Sequence, residues 1–302
     1  MNKIIVEKFD TYTGHRDCVY ALSVGPGKSF FSSGADGFVV QWNPDKPNHG
    51  ELLVKLENSV YALDYLKQED LLLVGQNFAG VHLIDLKSRK EILSTAITNT
   101  QIFDLKRVED TVLVATGGGE FIVLSFPELK TIGKFRYSEK SARSIAVNHA
   151  TAEIAIGYSD QLIRIFDLNT FVLKHTISGH TNSVFTLQYS ADNNYLLSAG
   201  RDATIIRWEV NNGYQKSNAV VAHMFAINHI AFRQDGKYFA TCSMDKSVKI
   251  WDFAELKLLK VIDKARHAGH GTSVNKLFWS AENQLISCSD DRTISIWNIT
   301  NL

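Results

Sequence analysis

The sequence has no excess of charge of either sign, with 32 Lys and Arg residues against 32 Asp and Glu residues. A balanced chain exerts no long-range field on nucleic acid or on an anionic membrane surface. This composition still allows a local surface patch of one charge sign. The counts therefore argue against a protein whose main partner is a polyanion.

Long apolar runs and a secretory signal are also missing. No run approaches the roughly 20 residues that a membrane-spanning helix requires. The opening segment MNKIIVEKFDTYTGH has neither the apolar core nor the small-residue cleavage site of a signal peptide. With 45% apolar and 21% charged residues, the composition is that of an ordinary folded protein. We expect a cytoplasmic protein without membrane contact.

Cysteine is scarce and carries no metal-ligand spacing. The three cysteines are Cys18, Cys242 and Cys288, and neither a Cys-x-x-Cys pair nor a paired His spacing accompanies them. An odd set suits a reducing compartment without disulfides. Cys242 and Cys288 occupy matching places in ATCS and ISCS, and we interpret both as small buried hydrophobic residues. The glycine-rich stretch at 116–120 is followed by neither Lys-Ser nor Lys-Thr, so it predicts a hairpin turn instead of a phosphate loop. No metal and no cofactor is predicted.

What the sequence does contain is a repeat. The segment GHGTSVNKLFWSAENQLISCSDDRTISIWN has the same order of Gly-His, Ser, Asp and Trp as GHTNSVFTLQYSADNNYLLSAGRDATIIRWE, and a third version begins at Gly14. Aligning the copies on the residue that closes each one gives seven markers, spaced 40 to 46 residues apart, at Trp42, Ile84, Leu124, Phe166, Trp208, Trp251 and Trp297. Seven units leave no residues for a second domain, so a single domain over 1–302 is predicted.

A complete unit contains four short strand signals, the fourth of them weaker. In the fifth copy, the runs SVFTLQYS, YLLSAG and TIIRWEV are rich in β-branched and aromatic residues and alternate with turns of Asn, Asp and Gly. Four antiparallel strands at this period match one blade of a β-propeller. The last copy holds only three strands, whereas the chain begins with an extra one. We therefore predict that residues around Ile4 to Phe9 pair with the strand ending near Trp297, so that no sheet edge stays open.

These features resemble the WD-repeat family over the full length of the chain. A Gly-His or Ala-His pair precedes the first strand of four copies, at His15, His180, His223 and His270. The family's Trp-Asp pair is complete only at Trp251, because Asn or Glu follows the Trp in the other three copies that have one. The resemblance implies an all-β, seven-bladed WD-repeat β-propeller whose last blade is closed by the N-terminal strand.

The resemblance also implies a buried hydrogen-bonded chain in each of these four copies. The chains are His15, Ser32, Asp36 and Trp42; His180, Ser198, Asp202 and Trp208; His223, Thr241, Asp245 and Trp251; and His270, Ser287, Asp291 and Trp297. An indole N–H, a hydroxyl, an imidazole and a carboxylate satisfy one another, and each is costly to bury alone. Because the same set recurs four times, we interpret it as framework and not as a nucleophilic triad.

The three middle copies lack this set. The His, Asp and Trp positions hold Leu56, Phe78 and Ile84 in the second copy and Thr98, Gly118 and Leu124 in the third. The polar partners disappear together. This is expected, because a buried network with only some of its hydrogen bonds made is less stable than apolar groups in the same space. The fourth copy keeps Asp160, with Ser138 and Phe166 at the His and Trp positions. We expect these three blades to be more weakly specified.

Other positions predict a binding surface on the face that carries the His loops. The residue after the first apolar position of each innermost strand is, in chain order, Tyr20, Tyr61, Phe103, Arg143, Phe185, Asn228 and Asn275. The residue before the turn Asp adds Arg201 and Met244. Exposed aromatic rings and Arg are typical of interface hot spots. The candidate partner-binding residues are Tyr20, Tyr61, Phe103, Arg143, Phe185, Arg201 and Met244. The alternative is that these rings pack beneath the connecting loops.

Three functional hypotheses follow. The favoured one is a non-catalytic scaffold that binds a peptide or protein. The bound segment would carry apolar side chains and a carboxylate that lies near Arg143 and Arg201. The alternatives are a small-molecule binder or enzyme that uses the central channel, and an RNA-binding module whose bases stack on the aromatic rings. The enzyme requires acid–base groups outside the four networks, and the RNA-binding module requires a basic face.

Overall fold

The structure is built of short β-strands. The computed structural model describes residues 4–46, 49–281 and 283–301. Its first strand is β1 (Ile5–Tyr12), and 27 further strands follow along the chain. Within the described residues the helical elements are one four-residue helix, α1 (Lys264–His267), and one 3₁₀ turn at Val210–Asn212. The strands form seven four-stranded sheets, which are the seven predicted blades.

The chain divides into two compact units, and the smaller one comprises residues 11–142 and 288–294. It contains the first three blades. Their strands are β2 (Val19–Val24), β3 (Phe30–Gly34), β4 (Phe38–Trp42) and β5 (Gly50–Lys55); β6 (Val60–Leu66), β7 (Leu71–Gln76), β8 (Gly80–Asp85) and β9 (Lys90–Ala96); β10 (Ile102–Val108), β11 (Thr111–Thr116), β12 (Glu120–Ser125) and β13 (Thr131–Arg136). The glycine-rich stretch at 116–120 is the hairpin turn between β11 and β12, as predicted, with Gly119 at a φ of 82°.

The larger unit comprises residues up to 10, residues 143–287 and residues from 295 onward. The fourth to sixth blades have the strands β14 (Ala142–Asn148), β15 (Glu153–Tyr158), β16 (Ile163–Asp167) and β17 (Leu173–Ile177); β18 (Val184–Tyr189), β19 (Tyr195–Gly200), β20 (Thr204–Glu209) and β21 (Gln215–Val221); β22 (Ile227–Phe232), β23 (Tyr238–Ser243), β24 (Val248–Asp252) and β25 (Lys257–Ile262).

The seventh blade is made from both ends of the chain. Its own strands are β26 (Val274–Ala281), β27 (Gln284–Ser289) and β28 (Ile294–Thr300), and β1 adds the fourth in the order β1-β28-β27-β26. Ile4 and Val6 pack against the apolar cluster that contains Trp297. The predicted closure by the N-terminal strand is therefore confirmed, and β1 covers the edge that β28 would otherwise expose.

Six of the seven markers of the repeat hold closely similar registers. In six blades the marker faces the first or second residue of the preceding strand, as in the pairs Phe30–Trp42, Leu72–Ile84 and Leu196–Trp208. All seven marker side chains are at most 2% exposed, namely Trp42, Ile84, Leu124, Phe166, Trp208, Trp251 and Trp297. The residue that closes each copy is therefore a core residue whatever its chemistry.

The core lies between consecutive blades. One apolar cluster of the smaller unit joins Phe31 and Val39 of the first blade to Leu72 and Ile84 of the second. The clusters of the larger unit likewise join the fourth blade to the fifth, the fifth to the sixth and the sixth to the seventh. A blade therefore completes its core only against a neighbour, as in other repeat proteins. Cys242 and Cys288 are fully buried, which confirms their interpretation as small hydrophobic residues.

Candidate functional site

The buried network of the fifth blade has the predicted composition and order. Ser198 Oγ lies 2.8 Å from Trp208 Nε1 and 2.7 Å from His180 Nε2. On the other side of the ring, His180 Nδ1 lies 2.9 Å from Asp202 Oδ2. The carboxylate also accepts the backbone N–H of Thr181 at 3.0 Å. One chain of hydrogen bonds thus joins β19, β20 and the loop that precedes β18.

The first and sixth blades repeat this arrangement with small differences. In the first, His15 bridges Ser32 at 2.7 Å and Asp36 at 3.0 Å. The sixth uses Thr241 as its hydroxyl, 2.7 Å from His223 Nε2 and 2.9 Å from the Trp251 indole nitrogen. A threonine hydroxyl can replace serine because only the Oγ atom takes part.

The seventh blade has the same hub. Ser287 Oγ lies 2.9 Å from both His270 Nε2 and Trp297 Nε1. Asp291 accepts the hydroxyl of Thr293 at 2.6 Å and its backbone N–H at 3.1 Å. The carboxylate thereby stabilises the turn between β27 and β28.

Proton positions in these networks follow from donor chemistry. An indole N–H only donates, so the hydroxyl accepts from Trp and donates its own proton to His Nε2. The remaining Nδ1–H then donates to the carboxylate. Burial acts to raise the pKa of the Asp202 carboxyl. The hydrogen bond and electrostatic attraction of His180, together with the backbone N–H groups of Thr181 and Thr204, outweigh burial and leave the pKa below its ordinary value. In the sixth blade, burial lowers the pKa of His223, which favours the neutral ring.

None of these hydroxyls is placed to attack a substrate. Ser32, Ser198, Thr241 and Ser287 are all fully buried, and the histidines are at most 7% exposed. The hydroxyl proton is already committed to a histidine, and a fixed indole covers the oxygen. The geometry is that of a framework and not of a nucleophilic centre.

The middle blades fill the same space with apolar groups. The Ser position holds Val74 in the second blade, Val114 in the third and Ile156 in the fourth, all fully buried. In the fourth blade, Asp160 pairs with Arg164 at 2.8 Å, and that guanidinium lies 4.6 Å from the centroid of the Tyr158 ring. Arg164 thus gives Asp160 a cationic partner in a blade without the histidine, which the sequence pattern did not reveal.

A second polar network links the fourth and fifth blades within the larger unit. The buried Glu153 carboxylate accepts the hydroxyl of Tyr214 at 2.6 Å and that of Thr151 at 2.9 Å, and it also pairs with Lys174. The hydroxyls of Tyr189 and Tyr214 lie 2.8 Å apart. Sequence reasoning missed this network because its members share no motif and lie far apart in the chain.

Asp64 is an acidic residue outside both kinds of network. It lies in β6, where its Oδ2 accepts the backbone N–H of Arg107 at 2.8 Å. Burial raises its pKa to about 6, against the opposing effect of that hydrogen bond. This carboxyl is committed to the backbone of β10, so it links two neighbouring strands.

Three of the predicted surface residues form one contiguous group in the smaller unit, which we call the aromatic row. The rings of Tyr20 and Tyr61 meet edge to face at 4.7 Å, and those of Tyr61 and Phe103 stack at 5.9 Å. All three side chains are half-buried. Beside them, Cys18 Sγ donates to the carbonyl of Asp290 at 3.7 Å. Burial raises the pKa of Tyr20, so its hydroxyl stays neutral and can donate.

The other four predicted surface residues belong to the larger unit. The Arg143 guanidinium lies 4.6 Å from the centroid of the Phe185 ring, and both side chains are half-buried. Arg201 and Met244 are exposed, each in the turn that follows the second strand of its blade. The structure therefore brings Arg143 and Phe185 together as one stacked pair.

Two exposed apolar residues in the loop that precedes β22 were not predicted. Met224 is 81% exposed and Phe225 is 60% exposed, directly after His223. A signal was present in the sequence, since AHMF departs from the polar or small residues that follow the equivalent position in the other copies.

The small-molecule hypothesis calls for acidic or basic side chains that lie outside structural contacts. No group of three or more His, Cys, Asp and Glu side chains among the described residues is arranged to hold a metal ion. A cavity of about 440 Å³ in the larger unit is lined in part by Asp192, Asp235 and Phe253. Asp192 and Asp235 already have partners, because Asp192 accepts the hydroxyl of Ser190 at 2.5 Å and Asp235 pairs with Arg233.

None of the described helices has the length and apolarity needed to cross a bilayer.

A family comparison assigns the repeat. The model described as WD domain, G-beta repeat matches residues 7–43, 171–209, 215–252 and 262–298, together half of the chain. The chain belongs to the WD40-repeat family. The four matched segments end at or just beyond the four Trp markers, whereas the copies without the buried network go unmatched. The matched copies are thus the four that carry the histidine network.

A solved structure shows the same WD40 architecture. The WD40 β-propeller domain of Doa1 superposes with a TM-score of 0.85, covering 97% of each chain at 18% sequence identity. At that identity the likeness shows the fold alone. The fold is a seven-bladed β-propeller, as the sequence predicted.

Curated relatives of this WD40 chain are distant and longer. The 66 kDa stress protein of Physarum polycephalum is 23% identical over 96% of this chain and 48% of its own length. Actin-interacting protein 1 of Drosophila melanogaster is 26% identical over 53% of this chain and 26% of its own length. The chain spans about half, or less, of the curated relatives it matches.

Proposed function

We propose that this WD40 propeller is a non-catalytic module that binds peptide or protein segments through the aromatic row. The observation that carries the proposal is the contact of Tyr20, Tyr61 and Phe103, which form one half-buried surface of rings across three consecutive blades. Rings held by one another lose little side-chain entropy on binding. They also bury a large apolar area against a partner.

Two further features support a protein partner. The hydroxyls of Tyr20 and Tyr61 add polar groups to the apolar rings, and tyrosine is enriched among interface hot spots. The Arg143 and Phe185 pair offers a planar cation to a carboxylate. One relative is named for its interaction with actin, which is in keeping with an interaction role.

The alternatives draw less support. RNA binding requires a basic face, and the chain carries equal numbers of acidic and basic residues. An enzyme requires an accessible acid–base pair, whereas the four recurring trios are buried. A cytoplasmic location stays a prediction from the cysteine content.

The test is affinity capture from the source cell followed by quantitative mass spectrometry. The Tyr61→Ala, Phe103→Ala double variant removes the two stacked rings. Its matched control is Ile92→Ala, Ile132→Ala, which removes two side chains of the same unit that are 53% and 58% exposed. We expect a set of proteins that the intact chain and the control retain and the ring variant loses. Equal recovery by all three proteins, at matched thermal stability, would show that the aromatic row is not the binding surface.

A further inference from the structure

The sixth blade exposes three large apolar side chains on two neighbouring loops. Met224, Phe225 and Met244 are 81%, 60% and 53% exposed. The loops are tied together, because Met244 donates its backbone N–H to the Ala226 carbonyl at 3.0 Å and Ser243 Oγ donates to the Phe225 carbonyl at 3.1 Å. The three side chains therefore lie on a fixed backbone, and we call them the sixth-blade patch.

The fold does not require apolar residues at these positions. The equivalent positions of the other six copies hold Arg16, Asp17 and Ala35; Glu57, Asn58 and Asn77; Asn99, Thr100 and Gly117; Glu139, Lys140 and Ser159; Thr181, Asn182 and Arg201; and Gly271, Thr272 and Asp290. All of these residues are polar or small. At these three positions the other six copies form the same loops without a large apolar side chain, although the second copy exposes Phe78 one residue further along its turn. An exposed cluster of three such side chains favours association over solubility. Folding of these loops therefore does not explain the patch.

The exposed charged side chains in the two turns next to the patch are both cationic. Asp202 and Asp245 occupy the adjacent turns, but their side chains are only 8% exposed because both are turned into the histidine networks. Arg201 and Lys246, in the same two turns, are exposed. The Ala203 carbonyl accepts the backbone N–H groups of residues 222 and 223, which places the turn of Arg201 beside the patch. The solvent therefore meets apolar groups flanked by cations.

We propose that the sixth-blade patch docks an acidic amphipathic segment of a partner protein. Apolar side chains of that segment cover Met224, Phe225 and Met244, while its carboxylates pair with Arg201 and Lys246. Methionine suits this role because its flexible thioether adapts to different side chains. The inference rests on the proposed interaction function but uses a different surface from the aromatic row.

Selection from a phage-displayed library of random peptides of about 12 residues tests the proposal, since a segment of that length reaches both loops. The library is panned on the intact chain and, in parallel, on the Met224→Ser, Phe225→Ser double variant. We expect peptides specific to the intact chain that combine Leu, Ile or Phe with Asp or Glu. Their dissociation constants, measured by fluorescence anisotropy, should rise by about tenfold or more in the double variant.

Charge reversal and a matched control complete the experiment. Arg201→Glu with Lys246→Glu should weaken the selected peptides by about tenfold, and added salt should weaken their binding to the intact chain. Val172→Ser removes an apolar side chain that is 61% exposed in the fourth blade and should change nothing. Selection of basic peptides, of peptides that bind the double variant equally, or of none specific to the intact chain would overturn the proposal.

The same peptides separate this inference from the proposed function. Peptides that fail to bind the Met224→Ser, Phe225→Ser variant but still bind the Tyr61→Ala, Phe103→Ala variant support the patch. The aromatic row is then tested by the cellular capture experiment alone. Peptides lost only with the ring variant support the aromatic row and contradict the patch.

Discussion

Trp208 donates its indole N–H to Ser198 Oγ at 2.8 Å, and the same hydroxyl lies 2.7 Å from His180 Nε2. One oxygen therefore satisfies a buried donor and a buried acceptor at once. The arrangement recurs around Ser32, Thr241 and Ser287, always with the Trp ten residues after the hydroxyl. This hydroxyl is the hub of each network, and its removal should cost more than the loss of one hydrogen bond.

Replacement of Ser198 by Ala is expected to lower the free energy of unfolding by about 2–4 kcal/mol, because it leaves both the Trp208 indole N–H and the His180 Nε2 atom without a buried partner. Urea unfolding followed by tryptophan fluorescence measures the loss. Ser198→Thr is the matched control, since Thr241 fills the equivalent position of the sixth blade. A loss for Thr as large as that for Ala would contradict the hub role of the hydroxyl.

The tyrosine pair beside Glu153 should show strong coupling. Removal of the Tyr214 hydroxyl takes a donor from the buried carboxylate and a partner from Tyr189, so Tyr214→Phe should cost about 1–3 kcal/mol of unfolding free energy. Tyr189→Phe should cost less, because the contact of Tyr214 with Glu153 survives. The two changes together should cost less than their sum. Strict additivity in the double variant would show that the hydroxyls do not act as one network.

Deletion of residues up to Asp10 should destabilise the chain far more than the trimming of a frayed terminus. The deletion removes most of β1, exposes the edge of β28 and uncovers the apolar cluster around Trp297. We expect a lower melting temperature and the appearance of oligomers on size-exclusion chromatography. Phe9→Ser is the control, because this side chain is 54% exposed and its backbone stays in the strand. A truncated chain that melts like the intact one would refute the closure role of β1.

Asp64 should make the stability of the chain depend on pH. Its pKa is about 6 in the folded state against an ordinary value of 3.8, so the folded chain holds a proton that the unfolded chain releases between these values. The stabilisation from this proton is complete below pH 3.8 and is lost as the pH rises through about 6. Its total is about 2–3 kcal/mol.

Asp64→Asn keeps an oxygen for the Arg107 N–H but cannot ionise. We expect the variant to be more stable than the intact chain at pH 8 by about 1–3 kcal/mol, with a difference that shrinks toward pH 4. Chemical unfolding at several pH values tests this. Asp110→Asn, at an exposed position of the same unit, should show no such pH-dependent gain. An Asn variant less stable than the intact chain at pH 8 would contradict the burial argument.

The sequence predicted the buried networks but not the exposure of the candidate surface residues. The networks were predictable because each needs polar partners at a fixed spacing, and a repeated sequence shows that spacing four times. Exposure was not predictable, because Tyr61 and Met244 were both predicted to lie on the face that carries the His loops, yet the ring is half-buried against its neighbours and the thioether is exposed. Asp160 likewise survives without its histidine because Arg164, on the adjacent strand, supplies the counter-charge.

From the sequence alone, the number of blades, their strands, the closure by the N-terminal strand and the four histidine networks were determined. These features depend on local periodicity, turn residues and short spacings, all of which are properties of one copy. Only the tertiary structure decided that Tyr20, Tyr61 and Phe103 contact one another, that Glu153 meets Tyr214, and that Met224 and Phe225 stay in solvent. These relationships join residues of different copies or depend on how much of a loop is covered. Packing between blades sets them, and no single repeat encodes it.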